Sequence, residues 1–171
     1  AANMVILHIH LSQLKQAREW LTVKEQLLQQ TNLSESEYQE QQVQNLYYQG
    51  QIFYREEDLS QAKTTFEQAL NQAQAIGWQK ATAAINNWLA DIALLNGDLA
   101  EARRLLEFSL PMAQRHKDKR VIAFHKATFA KLETTCGNGF QAHRFAKEAA
   151  ESFESLKMIA EAKEMYALLA K

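Results

Sequence analysis

Apolar residues recur along this chain in short helical stripes, and the stripes themselves recur. The segments GQIFYREEDLSQAKTTFEQAL from Gly50, ADIALLNGDLAEARRLLEFSL from Ala90 and AKLETTCGNGFQAHRFAKEAA from Ala130 align without gaps at a step of forty residues. Each opens with a small residue (Gly50, Ala90, Ala130) and places an apolar one two positions later (Ile52, Ile92, Leu132). After a polar turn come Ala62, Ala102 and Ala142, then Phe66, Leu106 and Ala146, then Ala69, Ser109 and Ala149. Intervals of four and three residues keep these positions on one face of an α-helix. Small residues facing one another let two helices approach closely, and larger ones fill the space between successive pairs.

The pattern predicts helix, tight turn, helix throughout. Asp58 and Asp98 precede the second helix of their pairs, where a carboxylate caps exposed backbone N–H groups and meets the positive end of the helix dipole. Gly97 and the Gly137-Asn138-Gly139 run are the expected positive-φ reversals. Upstream, Leu14, Ala17 and Leu21 repeat the stripe, but Ala17 lies 45 residues before Ala62. The five extra residues are expected in the polar stretch from Thr31 to Gln39. Downstream, Glu161 through Lys171 matches the first helix of a further repeat. The expectation is an all-α fold of about nine helices in antiparallel pairs. It forms one repeat domain over 1–171, with repeats near 1–32, 36–77, 78–117 and 118–157 and a closing helix at 158–171. Pro111 falls inside a second helix and predicts a kink or an early end there.

Composition agrees and narrows the function. With one proline and five glycines the chain has too few turn residues for an all-β fold. A net charge of −1 gives no overall attraction to nucleic acid or to an anionic membrane. The lone cysteine, Cys136, excludes an internal disulfide framework and a cysteine zinc site, as expected for a reduced, cytoplasmic protein. The apolar run from Met4 to Leu11 is too short for a membrane span and is broken by His8 and His10. Position 1 is not methionine, and the chain is expected to be a segment of a longer protein.

At Gly50, Phe53, Ala62, Phe66 and Ala69 the chain resembles the tetratricopeptide repeat (TPR) family. Departures occur where Phe53 becomes Ala93 and Glu133 in the following repeats, and where the family's tryptophan position holds Leu46, Asn86 or Lys126. The forty-residue period is similar to the long-repeat subtype found in the helical sensor arms of maltose-regulator-type activators and nucleotide-binding signal-transduction ATPases. It is also similar to that of peptide-sensing bacterial regulators. The resemblance covers roughly residues 4–171 and implies a right-handed superhelical solenoid that acts as a sensor or docking arm beside an ATPase or DNA-binding domain. No glycine-rich phosphate loop with lysine occurs in the sequence.

By the same resemblance, a protein or peptide ligand would lie in a concave groove lined by first helices. The inward positions are Gln44, Tyr47, Gln51 and Tyr54, then Asn87 and Asp91, then Phe124, Thr128 and Lys131, with Trp88 at the border. Tyrosine and tryptophan supply contact area at low entropy cost, and Asn and Gln supply adaptable hydrogen bonds. The alternative role for these aromatics is packing between neighbouring pairs. The five slots of the family's chaperone-tail clamp hold Tyr47, Gln51, Trp88, Phe124 and Thr128, so a C-terminal carboxylate is not the expected ligand.

Two other function classes have weaker support in the sequence. Between Arg103 and Lys147 ten Lys/Arg oppose three Asp/Glu, with His116, His125 and His143 in addition. That is a candidate anion or nucleic-acid site, although its charges are spread over second helices expected to face outward and a first helix facing the groove. Catalysis, metals and cofactors are not expected. His8 and His10 diverge on a helix, Cys136 reads as a filler at a helix end, and Glu133 reads as a carboxylate reaching solvent, with a buried, perturbed carboxylate as the alternative. A membrane-surface role is disfavoured because the apolar stripes are committed to neighbouring repeats.

Overall fold

The computed structural model describes residues 1–170. Among these residues nine helices follow one another: α1 (Ala2–His10), α2 (Leu14–Gln30), α3 (Glu35–Arg55), α4 (Leu59–Ala75), α5 (Gln79–Leu95), α6 (Leu99–Arg115), α7 (Lys119–Thr135), α8 (Gly139–Ser155) and α9 (Ile159–Leu169). Lys171 lies outside the described residues. The chain forms two compact units, one over Ala1–Ala81 and the other from Thr82 onward.

Turns set the spacing. From α3 on, a residue with positive φ closes each helix that is followed by another: Glu57, Gly77, Gly97, Lys117, Gly137 and Lys157, one every twenty residues. The backbone N–H that follows returns to a carbonyl one turn inside the helix, as in Asp98 to Ala93 at 2.9 Å and Asn138 to Glu133 at 2.9 Å. Of the glycines expected to reverse the chain near 137–139, only Gly137 has positive φ, and Gly139 is already the first residue of α8. Asp58, Asp98 and Asp118 then accept from Gln61, Glu101 and Val121 N–H at 3.0, 3.0 and 3.1 Å.

The five residues that displace the first pair are divided. α3 has 21 residues where α5 and α7 have 17, and residues 31–34 form a connection one residue longer than the others. Most of the polar stretch expected to hold the extra residues is thus an additional helical turn. It starts at a capping box, in which Ser34 Oγ accepts from Glu37 N–H and Glu37 accepts from Ser34 N–H at 2.9 Å. Pro111 does not end α6, which continues to Arg115. The proline is exposed, so the carbonyl it leaves without a helical donor lies on an exposed stretch of the helix.

In the first unit α1 packs on α2, α2 on α3 and α3 on α4. Val5, Ile9, Ala17, Leu21, Tyr48 and Ile52 form one buried cluster. In the second unit α6 packs on α7, α7 on α8 and α8 on α9. Its cluster is rich in alanine, including Ala123, Ala127, Ala130, Ala146 and Ala149, closed by Phe153 and Met165. The repeat alanines Ala62, Ala102 and Ala142 are all buried, at 0%, 0% and 8% exposure. At the opening position of the repeat the fit is tight. A Cβ on Gly50 would lie 2.7–2.9 Å from three atoms of the Phe66 ring. The corresponding pairs one and two repeats later are Ala90 with Leu106 and Ala130 with Ala146, so the absent Cβ coincides with the largest partner.

Candidate functional site

In the first unit, Gln44, Tyr47, Gln51 and Tyr54 lie along α3, all half-buried. Helical spacing sets them on neighbouring stripes. Tyr47 is partly committed to packing. Its ring stands edge-on to Phe66 at 6.1 Å, lies 5.9 Å from Tyr48, and joins the margin of the α1–α3 cluster.

In the second unit, α5 carries Asn87, Trp88 and Asp91, and α7 carries Phe124, Thr128 and Lys131. Asn87, Asp91 and Thr128 are under a tenth exposed, so these three present little surface. The Thr128 hydroxyl donates to the Phe124 carbonyl at 3.1 Å. Phe124 is half-buried, its ring edge-on to Phe153 at 5.1 Å with the Arg120 guanidinium 5.8 Å from its centre. Trp88 is half-buried as well. Asn87 Oδ1 and both polar atoms of its neighbour Asn86 are buried with no hydrogen-bond partner among the described residues.

Lys131 ties three first helices together. Its ammonium lies 3.8 Å from Asp91 on α5 and 2.9 Å from Glu164 on α9. Burial alone would depress its pKa, but the two carboxylates outweigh that effect and hold it above the ordinary lysine value. Glu164 is absent from the positions inferred by resemblance. Counting by forties from Gln44 through Phe124 reaches it, and that register was the available signal.

In the basic segment from Arg103 to Lys147, half of the ten Lys/Arg side chains, Lys131 among them, are paired with carboxylates. Arg103 reaches Glu133 at 2.7 Å, Arg104 reaches Glu101 at 2.6 Å, Lys126 reaches Glu148 at 2.9 Å, and Arg144 reaches Glu148 at 3.9 Å. Glu133 does not reach solvent. It is 4% exposed, held by the Arg103 guanidinium from α6 and by the Asn138 amide at 2.6 Å. The hydrogen bond from Arg103 is the main reason its pKa falls below the usual glutamate range, against the opposing effect of burial. Arg103 accordingly turns toward α7 instead of standing free on the outer face. The Asn138 amide is spent on Glu133, and its side chain makes no cap on α8.

Two further polar groups are buried, one that the sequence pattern does not single out, Lys24, and one counted with the basic segment, His125. Lys24 on α2 is 6% exposed and donates to Asn45 on α3. Burial lowers its pKa. His125 on α7 is fully buried, with Nδ1 2.8 Å from the Val121 carbonyl and Nε2 2.7 Å from Ser109 Oγ on α6. Burial pulls its pKa down to about 4. Among the described residues no group of three or more His, Cys, Asp or Glu side chains is placed to hold a metal ion. No helix of the described residues is long and apolar enough to cross a membrane.

No protein-family model matches the chain, and no curated protein matches it. Its structure is similar to the crystal structure of a Signal Transduction ATPase with Numerous Domains (STAND) protein with a tetratricopeptide repeat sensor from Pyrococcus horikoshii, with a TM-score of 0.68 at 16% identity. The alignment covers 98% of this chain and 25% of that one, so the chain spans about a quarter of the length of its structural relative. At that identity the likeness is one of fold. The chain is therefore an all-α array of helix pairs with a tetratricopeptide-like repeat fold.

Proposed function

We propose that this chain is a protein-binding scaffold, the sensor or docking part of a larger signalling or regulatory protein, and that it takes an extended segment of its partner along its first helices. The observation that carries this reading is the Asp91–Lys131–Glu164 line. It sets alternating charge across three successive first helices, with Glu164 exposed and Lys131 more than a third exposed. A segment laid across such a line meets the Lys131 and Glu164 charges at a spacing set by the repeat, with the enclosed Asp91 helping to fix Lys131, which gives register and partner choice. The fold likeness to a repeat sensor supports the same reading. Local pairing of Arg103, Arg104, Lys126 and Arg144 speaks against a nucleic-acid site on the basic segment.

Selecting binders from a random peptide display library on the whole chain tests the proposal. Peptides should be enriched, and Asp91→Ala combined with Lys131→Ala should weaken the best of them at least about tenfold, equivalent to about 1.4 kcal/mol. Unchanged affinity in a variant with a wild-type circular dichroism spectrum would remove the second unit's wall from the site. Tight retention on DNA that falls steeply with salt would replace the reading with an electrostatic one.

A further inference from the structure

Counting by the repeat, one pair of positions recurs at the three seams within the units where a second helix meets the first helix of the next pair. At the α2/α3 seam it is Lys24 and Asn45, at α6/α7 it is Ser109 and His125, and at α8/α9 it is Ala149 and Met165. The last two residues belong to one buried apolar cluster, while each of the first two pairs is joined by a buried hydrogen bond. An apolar solution exists at this position, yet two seams use a polar one, and one of these titrates in mild acid.

We infer that the α6/α7 seam is an acid-sensitive latch: a proton taken up by His125 releases α7 from α6, and with it the wall residues Phe124, Thr128 and Lys131. At neutral pH the imidazole is uncharged. Its Nδ1–H donates to the Val121 carbonyl, and its Nε2 lone pair faces the Ser109 hydroxyl. A second proton on Nε2 turns that nitrogen into a donor to Ser109 Oγ, whose own hydrogen can point to the Leu105 carbonyl 2.7 Å away. Every hydrogen bond survives, but a full charge is left in a site with 0% exposure. Among the described residues no carboxylate is hydrogen-bonded or ion-paired to it. On the helices around α7, Asp91 is paired with Lys131, Glu101 with Arg104, Arg103 with Glu133 and Glu107, and Glu148 with Lys126 and Arg144, while Arg115 on α6 and His143, Lys147, Glu151 and Glu154 on α8 are exposed. Hydration of the imidazolium then requires the two helices to part.

Burial holds the imidazole near a pKa of about 4 when the seam is closed, against about 6.5 for an imidazole in water. Acidification from pH 7 to 4.5 should therefore raise the opening equilibrium about fifty-fold. The latch concerns α6 and α7 alone and is independent of what the wall binds, so the scaffold reading can fail while the latch stands.

Hydrogen exchange of the whole chain at pH 7 and pH 4.5, corrected for the chemical exchange rate, tests it. Amides of α6 and α7 should lose protection by about fifty-fold while those of α8 and α9 lose much less. Ser109→Ala with His125→Met, which installs the residues of the α8/α9 seam, should abolish the difference. If that variant does not fold, His125→Asn, the residue that the α2/α3 seam uses, serves the same purpose. Protection of α6 and α7 that stays within two-fold of α8 and α9, or an equal loss in the variants without histidine, would overturn the inference.

Discussion

Gly50→Ala offers the sharpest test of the packing described above. In an exposed helix the change would stabilise by about 0.5–1 kcal/mol, because alanine loses less backbone entropy than glycine. Here the new methyl would sit 2.7–2.9 Å from Cε1, Cδ1 and Cζ of Phe66, closer than ordinary carbon contacts of about 3.5–4.0 Å. The ring cannot retreat easily, since Phe66 is fully buried and Tyr47 stands against it edge-on. Overpacking of this kind costs about 1–3 kcal/mol, which outweighs the helix term and leaves a net loss of about 1–2 kcal/mol. Adding Phe66→Leu recreates the Ala90 and Leu106 combination of the next repeat and should recover part of that loss. The double variant should then exceed the sum of the single variants by about 1 kcal/mol. Urea denaturation of all four chains, followed by circular dichroism, measures the cycle. A Gly50→Ala chain as stable as wild type, or additive single effects, would mean that α3 and α4 adjust freely at this contact and that the small residue is not required by the ring.

Other perturbations probe turns and buried charge. Lys117 holds a φ of +52°, so Lys117→Gly should stabilise by about 1 kcal/mol in the same denaturation assay, whereas Gly97→Ala at a φ of +79° should destabilise by a similar amount. Arg103→Ala leaves the Glu133 carboxylate buried without its cation and should cost about 1–3 kcal/mol at neutral pH. Because the pKa of Glu133 is lower in the folded chain than in the unfolded one, its contribution is complete above the ordinary glutamate pKa and fades as pH falls through the lower folded value. The gap between wild type and Arg103→Ala should close over that acid range, and a gap independent of pH would show that Glu133 is not the group responsible.

Much of the helix array is legible in the sequence because the alanine stripe leaves little choice. Ala62, Ala102 and Ala142 recur at a step of forty residues, the first two beside the capping aspartates Asp58 and Asp98, and all three are buried. The added turn of α3 is harder to read, since a polar run such as Thr31 to Gln39 suits a loop or a solvated helix equally well. The Ser34-x-x-Glu37 capping box was the local clue. Glu133 misleads because its neutralising partner lies 30 residues away on another helix, and sequence spacing does not announce such a pairing. The same is true of Ser109 with His125. Their register position is plain in the repeat, but its location at a seam between helix pairs emerges only once the helices are packed. Among the wall residues, resemblance identifies the helices that carry them. It does not say how deeply Asn87, Asp91 and Thr128 would be enclosed.

A left-handed residue every twenty positions turns the chain into a ruler. Each helix spans a fixed number of turns between two such marks, so losing a single residue inside α5 would rotate every later side chain of that helix by about 100° and swing the alanine edge away from its neighbour. Gain or loss of a whole hairpin leaves the phase intact. Length variation is therefore admissible as complete helix pairs, as whole helical turns at a helix end or as residues in a connection, and the longer α3 with the four-residue connection 31–34 combines the last two.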